Sequence, residues 1–195
     1  MSKYKYWTGI GSRDVSPKIK ELQISIGERM AKLGYVLLSG GAGGSDDNFH
    51  QGVCNVDPSL AEIYLPWNTF RKDERTFNTK GSVFIAPDRN DFDIAKSYYE
   101  EHDIIPWLNN MKQAAQKLHL RNYNQIFGEG VSYPQTSVVI YATNEDEKGN
   151  IKGGTATAIK VARNEKIPTF NLMISEQREK FLYFLGKKEN RMNLL

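Results

Sequence analysis

Four glycines crowd one junction, Ser39-Gly40-Gly41-Ala42-Gly43-Gly44-Ser45-Asp46, directly after the apolar triplet Val36-Leu37-Leu38. A short buried strand that runs into a glycine-rich turn and then into a polar helix start is the repeating unit of a parallel α/β sheet. The rest of the chain repeats this alternation. Tyr4 to Gly9 is predicted as a first strand, turned by Gly11-Ser12-Arg13. Pro17 suits the first turn of the next helix, where its missing N–H costs nothing. In that helix Ile19, Leu22, Ile26, Met30 and Leu33 recur at steps of three and four, giving one apolar face that stops at Gly34.

Further strands are predicted at Ala61 to Leu65, Ser137 to Tyr141 and Pro168 to Leu172. Helices are predicted over Trp107 to Leu120, from Gly153-Gly154-Thr155 onward, and over Gln177 to Leu185, with a separate helix or turn at Arg121 to Phe127. The Gly153 helix would bury Ala156, Ile159 and Ala162, and a polar excursion from Thr143 to Lys152 precedes it. Residues from about 67 to 103 read as loops with one irregular helix. The expected architecture is therefore α/β: a Rossmann-like, doubly wound, mostly parallel sheet. Residues 1–195 form a single domain with a long insert, about 67–118, after the third strand.

Composition narrows the class further. Twenty-six Lys and Arg against 23 Asp and Glu give a formal net charge of +3 on 195 residues, interspersed rather than blocked. That balance permits nucleic acid without demanding it. Cys54 is a lone cysteine, so no internal disulfide can form, which fits a reducing compartment. No apolar run approaches a membrane span, and MSKYKYWTGIGS lacks the apolar core of a signal peptide, so a cytoplasmic location is expected. No Cys, His and Asp cluster has metal-ligand spacing, and neither a metal nor a cofactor is implied.

In such sheets ligands bind outside the carboxyl ends of the strands. Three glycine turns fall there: Gly11-Ser12-Arg13, Gly40 to Ser45, and Gly153-Gly154-Thr155. Glycine lets backbone N–H groups approach an anion, and a following helix N-terminus adds partial positive charge. The pattern is that of a phosphate cradle. It is not a GxxxxGK[ST] loop, because Ser45-Asp46 follows the glycines, and GIGSRD falls short of GxGxxG.

Gly11-Ser12-Arg13 and the SGGAGGSD stretch, with His50 four residues on, resemble the Rossmann-like domain of the DNA-processing protein A (DprA, or Smf) family of the SLOG superfamily. Tyr64-Leu65-Pro66 with Asn68, Arg121-Asn122 with Ile126, and Ser137 to Tyr141 with Gly153-Gly154-Thr155 continue the resemblance in order, over roughly residues 5 to 172. The resemblance implies glycine loops that hold the phosphate of a free nucleotide, a nucleotide-derived ligand or single-stranded DNA. It implies a pocket lined by Gly11, Ser12 and Arg13, with N–H donors from Ser39, Gly40, Gly41, Ala42, Gly43, Gly44 and Ser45. Arg121 with Asn122, and Gly153, Gly154 and Thr155, would complete it. A role in DNA recombination and a homodimer or higher homo-oligomer belong to the same expectation. The 67–118 insert departs from the family pattern.

Asp46 has two readings: a cap for its own helix, or a carboxylate for ribose binding or catalysis. His50, one helical turn on, is placed to pair with it, either structurally or in a catalytic role. The alternative function is a nucleoside 5'-monophosphate N-glycosidase, which needs a phosphate anchor and a carboxylate beside the sugar. The LOG phosphoribohydrolases, more distantly similar, carry PGGxGTxxE at the last glycine turn, where this chain has Ile159 or Lys160 in place of the Glu. Asp46, Glu100, Glu101 or Asp103 would have to substitute. A DNA track would draw on Arg13, Lys72, Arg75, Arg89, Arg121 and Arg163, with Trp67, Phe70, Tyr98, Tyr99 and Trp107 as stacking rings.

Overall fold

The computed structural model describes residues 5–130, 133–151 and 153–192; Tyr4 and Lys152, the expected limits of the first strand and of the polar excursion, lie outside them. Six parallel strands are β1 (Lys5–Gly11), β2 (Tyr35–Ser39), β3 (Ala61–Tyr64), β4 (Val83–Ile85), β5 (Thr136–Ala142) and β6 (Thr169–Asn171). Their order is β4-β3-β2-β1-β5-β6. Six α-helices cover the sheet: α1 (Pro17–Lys32), α2 (Ser45–Cys54), α3 (Arg89–Glu101), α4 (Gln113–Phe127), α5 (Gly154–Asn164) and α6 (Ser175–Met192).

Alternate residues along the central strands supply two apolar layers. Trp7, Leu37, Ile63 and Ile140 face one side, with Ile26 and Met30 of α1, Phe49 and Val53 of α2, and Phe181 and Leu185 of α6. Ile10, Val139 and Tyr141 face the other, with Ala95 and Tyr99 of α3, Tyr123, Ile126 and Phe127 of α4, and Ala158, Ile159 and Ala162 of α5. The sheet is doubly wound, with a core on each face. Among the described residues no helix is long and apolar enough to cross a membrane.

The structure departs from the sequence expectations in three places. The segment from 67 to 103 is not mainly loop. It contributes β4, which pairs with β3 and extends the sheet, and a regular 13-residue helix, α3, begun by a capping box in which Asp88 and Asp91 each accept the other's backbone N–H. Ala95 and Tyr99 of α3 are buried and Phe92 and Tyr98 pack half-buried on the same core, a helical spacing that the surrounding charged residues and the turn signals before it obscure. The expected break before Arg121 is absent, and α4 runs unbroken from Gln113 to Phe127, because no Gly or Pro interrupts it. Its expected first turn is instead a 3-10 turn at Leu108–Asn110. β1 extends to Gly11, so that glycine ends a strand rather than opening a turn.

α1 and α2 cross at two glycines. A Cβ on Gly27 would lie 2.5 Å from Phe49 O, and one on Gly52 would meet the carbonyl of Ile24, whereas Gly186 in α6 faces open space. Gly27→Ala and Gly52→Ala are each expected to lose at least about 2 kcal/mol in urea unfolding, because backbone must move. Gly186→Ala is expected to gain up to about 1 kcal/mol from helix propensity. Equal effects at the three positions would show that the α1–α2 contact is not close-packed.

Candidate functional site

β1 and β5 lie side by side, with Gly11 opposite Ala142, while β2 to β4 extend to one side and β6 to the other. This is the point where the strand order reverses, and the crevice outside the strand ends there is where ligands bind in open α/β sheets. A cleft of about 560 Å3 opens at that point. Gly11, Ser12 and Arg13 line it from β1, Ala42 and Asp46 from the α2 entry, and Thr143 and Asn144 from the end of β5. Gly153, Gly154 and Thr155 line it from the start of α5, and His119, Arg121, Asn122 and Gln125 from α4.

Local hydrogen bonds tie these segments together. Ser12 N donates to Ala142 O (2.8 Å), Ser12 Oγ to Thr143 Oγ1 (2.9 Å), and Thr155 Oγ1 to Gly11 O (3.1 Å). Asn122 Nδ2 donates to Gly154 O (2.9 Å), so α4 holds the first turn of α5 in place. No side chain caps α5, whose N-terminus therefore presents its partial positive charge at the cleft.

The rest of the glycine stretch does something different from the expected anion cradle. Ser39 Oγ donates to Gly9 O (2.7 Å), which ties β2 to β1. Gly40 lies against the Arg121 guanidinium and the Gln125 amide, where any side chain would collide with both. Gly41, at φ 61°, lies against Arg75, and its carbonyl accepts from Arg71 Nη1 (2.9 Å) and Arg75 Nη2 (3.2 Å). The nearest side chain to Gly43 is Arg71, and Gly44, at φ 79°, packs on the backbone of Arg13. Both the N–H and the hydroxyl of Ser45 donate to Ser12 O. The glycines make room for the protein's own arginines and backbone, and of this stretch only Ala42 and Asp46 line the cleft.

Asp46 is 3% exposed, and it does not cap its own helix. Its Oδ1 accepts from Gly11 N (3.3 Å) and its Oδ2 from Ala42 N (3.2 Å), bridging the turns that follow β1 and β2. Burial raises its pKa to about 6, against the opposing field of Arg121. Arg121 is 6% exposed, and its Nε is buried without a partner. With the Gln125 amide oriented to satisfy both neighbours, that side chain accepts from Gly40 N (3.1 Å) and from the Arg121 guanidinium. Among the described residues no carboxylate lies within 4.0 Å of Arg121; Asp46 acts on it only at longer range. Desolvation lowers its pKa.

His50 does not pair with Asp46. It points the other way, its Nε2 on Ser82 Oγ (2.9 Å) and its ring edge-on to Phe77 and Phe84, and burial lowers its pKa to about 3. Cys54 Sγ meets the same Ser82 hydroxyl at 3.5 Å. Glu100, Glu101 and Asp103 are exposed and lie outside the cleft lining. Ile159 is buried in the core, and Lys160 Nζ donates to Ile104 O.

Of the expected DNA track, Arg13, Arg121 and Phe70 reach the cleft. Arg75 is held by Gly41 O and stacks over Phe84, Arg163 pairs with Glu145 (3.7 Å), and Tyr99 is buried. Trp107 is exposed under Lys160, away from the lining. His119, Gln125, Thr143 and Asn144 were not anticipated as lining residues. The α4 positions had a legible signal, since His119, Asn122 and Gln125 recur at steps of three along one helical face.

Asp46 makes stability pH-dependent with a definite sign. Between its ordinary value near 4 and its folded value of about 6, the unfolded chain has released the proton and the folded chain retains it. Folding takes up a proton there, so stability falls as pH rises from 4 to 6 and levels off above, by roughly 3 kcal/mol. His50, lowered when folded, contributes the opposite slope below its ordinary value of 6.5. The difference between wild type and Asp46→Asn isolates Asp46: in urea unfolding, the variant is expected to gain on wild type as pH rises from 4 to 7. A difference independent of pH would mean that Asp46 is not desolvated.

No protein-family model and no curated protein matches the chain. Solved structures do. DNA processing protein A from Helicobacter pylori, described for its single-stranded DNA binding mode, superposes with a TM-score of 0.52 at 18% identity, over 98% of this chain and 79% of that one. The molybdenum cofactor carrier protein of Chlamydomonas reinhardtii follows at 0.48 and 14% identity, over 94% of this chain and 85% of that one. The chain has the Rossmann-like α/β fold of DNA processing protein A.

Proposed function

We propose that the cleft binds the phosphate of a nucleotide, either free or within single-stranded DNA. The observation that carries this reading is Arg121, a buried guanidinium at the cleft with no carboxylate within ion-pair distance among the described residues. Burying a cation without its counter-charge is costly, and an anionic ligand would offset that cost. The surroundings suit an anion: Arg13 lines the same cleft, the uncapped N-terminus of α5 adds positive potential, and Asp46 carries a proton at mildly acidic pH. The fold it shares with a single-stranded DNA-binding protein supports the same reading. The modest net charge of +3 favours a free nucleotide over a long DNA track.

A second reading, the nucleotide N-glycosidase, rests on Asp46, a carboxyl in the cleft whose pKa of about 6 suits proton transfer near neutral pH. Against it, both Asp46 oxygens already accept backbone N–H groups, and the α5 segment offers Ile159 and Lys160 instead of a carboxylate. Release of free base from a nucleoside monophosphate would favour the enzyme.

A thermal-shift comparison of mononucleotides with a short single-stranded oligonucleotide at two salt concentrations tests the binding. A mononucleotide at a hundred times its Kd is expected to stabilise wild type by about 2.7 kcal/mol. Arg121→Met is expected to abolish that gain while leaving the unliganded protein as stable or more stable, by about 1–3 kcal/mol. Stabilisation by the oligonucleotide alone, falling steeply with salt, would assign the cleft to DNA. A full ligand response in Arg121→Met would sink the phosphate assignment.

A further inference from the structure

Arg121, Asn122 and the α5 start account for a phosphate, but another part of the cleft wall has different chemistry. α4 presents Ala115, Leu118 and His119 to the cleft one and two turns before Arg121 and Asn122. At 1.5 Å per residue, Ala115 lies about 9 Å along the helix axis from Arg121. That separation is comparable with the distance between the phosphate and the base of one nucleotide. Phe70, from the segment after β3, lines the same cleft with an aromatic edge while it packs against Trp67 and the first apolar core. Leu118 is half-buried, yet it belongs to neither apolar core, so its side chain is available to a ligand.

His119 gives this wall one polar handle. Its Nδ1 is tied to Thr157 Oγ1 of α5 at 2.7 Å, which fixes the ring. Among the described residues its Nε2 has no protein partner, and it is not sealed off from solvent. Burial and the field of Arg121 lower its pKa, so the ring is neutral at neutral pH. A neutral imidazole with one nitrogen engaged offers a single directed donor or acceptor through the other. Apolar walls with one such handle are what a planar base with polar edges requires, through stacking on the walls and one directed hydrogen bond.

We propose that Phe70, Ala115 and Leu118 form a base-binding subsite, and that His119 Nε2 reads the polar edge of the base, which makes His119 a specificity-determining residue. The proposal rests on the phosphate reading above and extends it to the ligand's class: a base-bearing nucleotide rather than a sugar phosphate or inorganic phosphate. A site built to hydrogen-bond a polar group discriminates against ligands that leave its donor or acceptor unpaired. The four common bases should therefore bind unequally.

Calorimetric titration with ribose 5-phosphate and with the 5'-monophosphates of adenosine, guanosine, cytidine and uridine tests this. In wild type at least one monophosphate is expected to bind about tenfold or more tightly than ribose 5-phosphate, with a clear spread among the bases. His119→Ala is expected to collapse that spread and leave ribose 5-phosphate within about twofold of wild type. Leu118→Ala should weaken all four monophosphates together and spare ribose 5-phosphate. Equal binding of ribose 5-phosphate and the monophosphates would overturn the subsite, as would a His119→Ala loss shared by ribose 5-phosphate. If none of these compounds binds wild type, the base subsite falls with them, and if the single-stranded oligonucleotide also fails to bind, the underlying phosphate reading fails as well, a result distinct from binding that ignores the base.

Discussion

The arrangement depends on one backbone-to-backbone contact, between the turn after β1 and the entry of α2. Gly44 packs on the backbone of Arg13, and Ser45 donates twice to Ser12 O. Asp46, the next residue, reaches across to Gly11 N and Ala42 N. Gly44 adopts φ 79°, a conformation costly for any residue with a Cβ, so glycine is needed here for both space and conformation. From this contact follow the end of β1, the start of α2 and the position of the cleft wall between them. Gln23 of α1 reinforces it by donating to Ser45 Oγ and accepting from Asn48 Nδ2.

A second constraint is electrostatic. Two arginine groups press on the glycine loop, Arg121 beside Gly40 and the Arg71 and Arg75 pair at Gly41. The outer pair has its counter-charge in Asp47, which Arg71 meets at 2.9 Å. The inner one has no carboxylate within ion-pair distance among the described residues. The two groups differ in counter-charge and not in hydrogen bonding, since Arg75 Nε, 4.0 Å from Asp47, is buried without a hydrogen-bond partner as Arg121 Nε is. Unpaired buried charge reduces stability, which is the physical basis of the anion site proposed above.

The fold was legible in the residues where apolar pattern and turn chemistry agree, as in Val36 to Leu38 running into glycines and Ile19, Ile26 and Met30 on one helical face. It was illegible where burial is sparse. β4 is three residues at the sheet edge with Val83 and Phe84 exposed, and α3 fully buries Ala95 and Tyr99 with Phe92 and Tyr98 half-buried beside them. β4 is too short to impose a period, the α3 stripe is interrupted by charged neighbours, and both elements owe their place to β3 and α4. The candidate cleft was legible as a set of strand-end turns, because glycine and helix starts mark those turns in any α/β sheet.

The sequence by itself determined the strand and helix alternation, the parallel sheet and the turns that gather at one end, because these follow from local hydrophobic period and from backbone freedom at Gly and Pro. Only the tertiary structure decided what the turns do. It placed arginine side chains against Gly40 and Gly41, sent His50 away from Asp46 to Ser82, and brought His119 to the cleft through a contact with Thr157. Those outcomes depend on partners distant in sequence, and no local pattern encodes which of them a given glycine or histidine will meet.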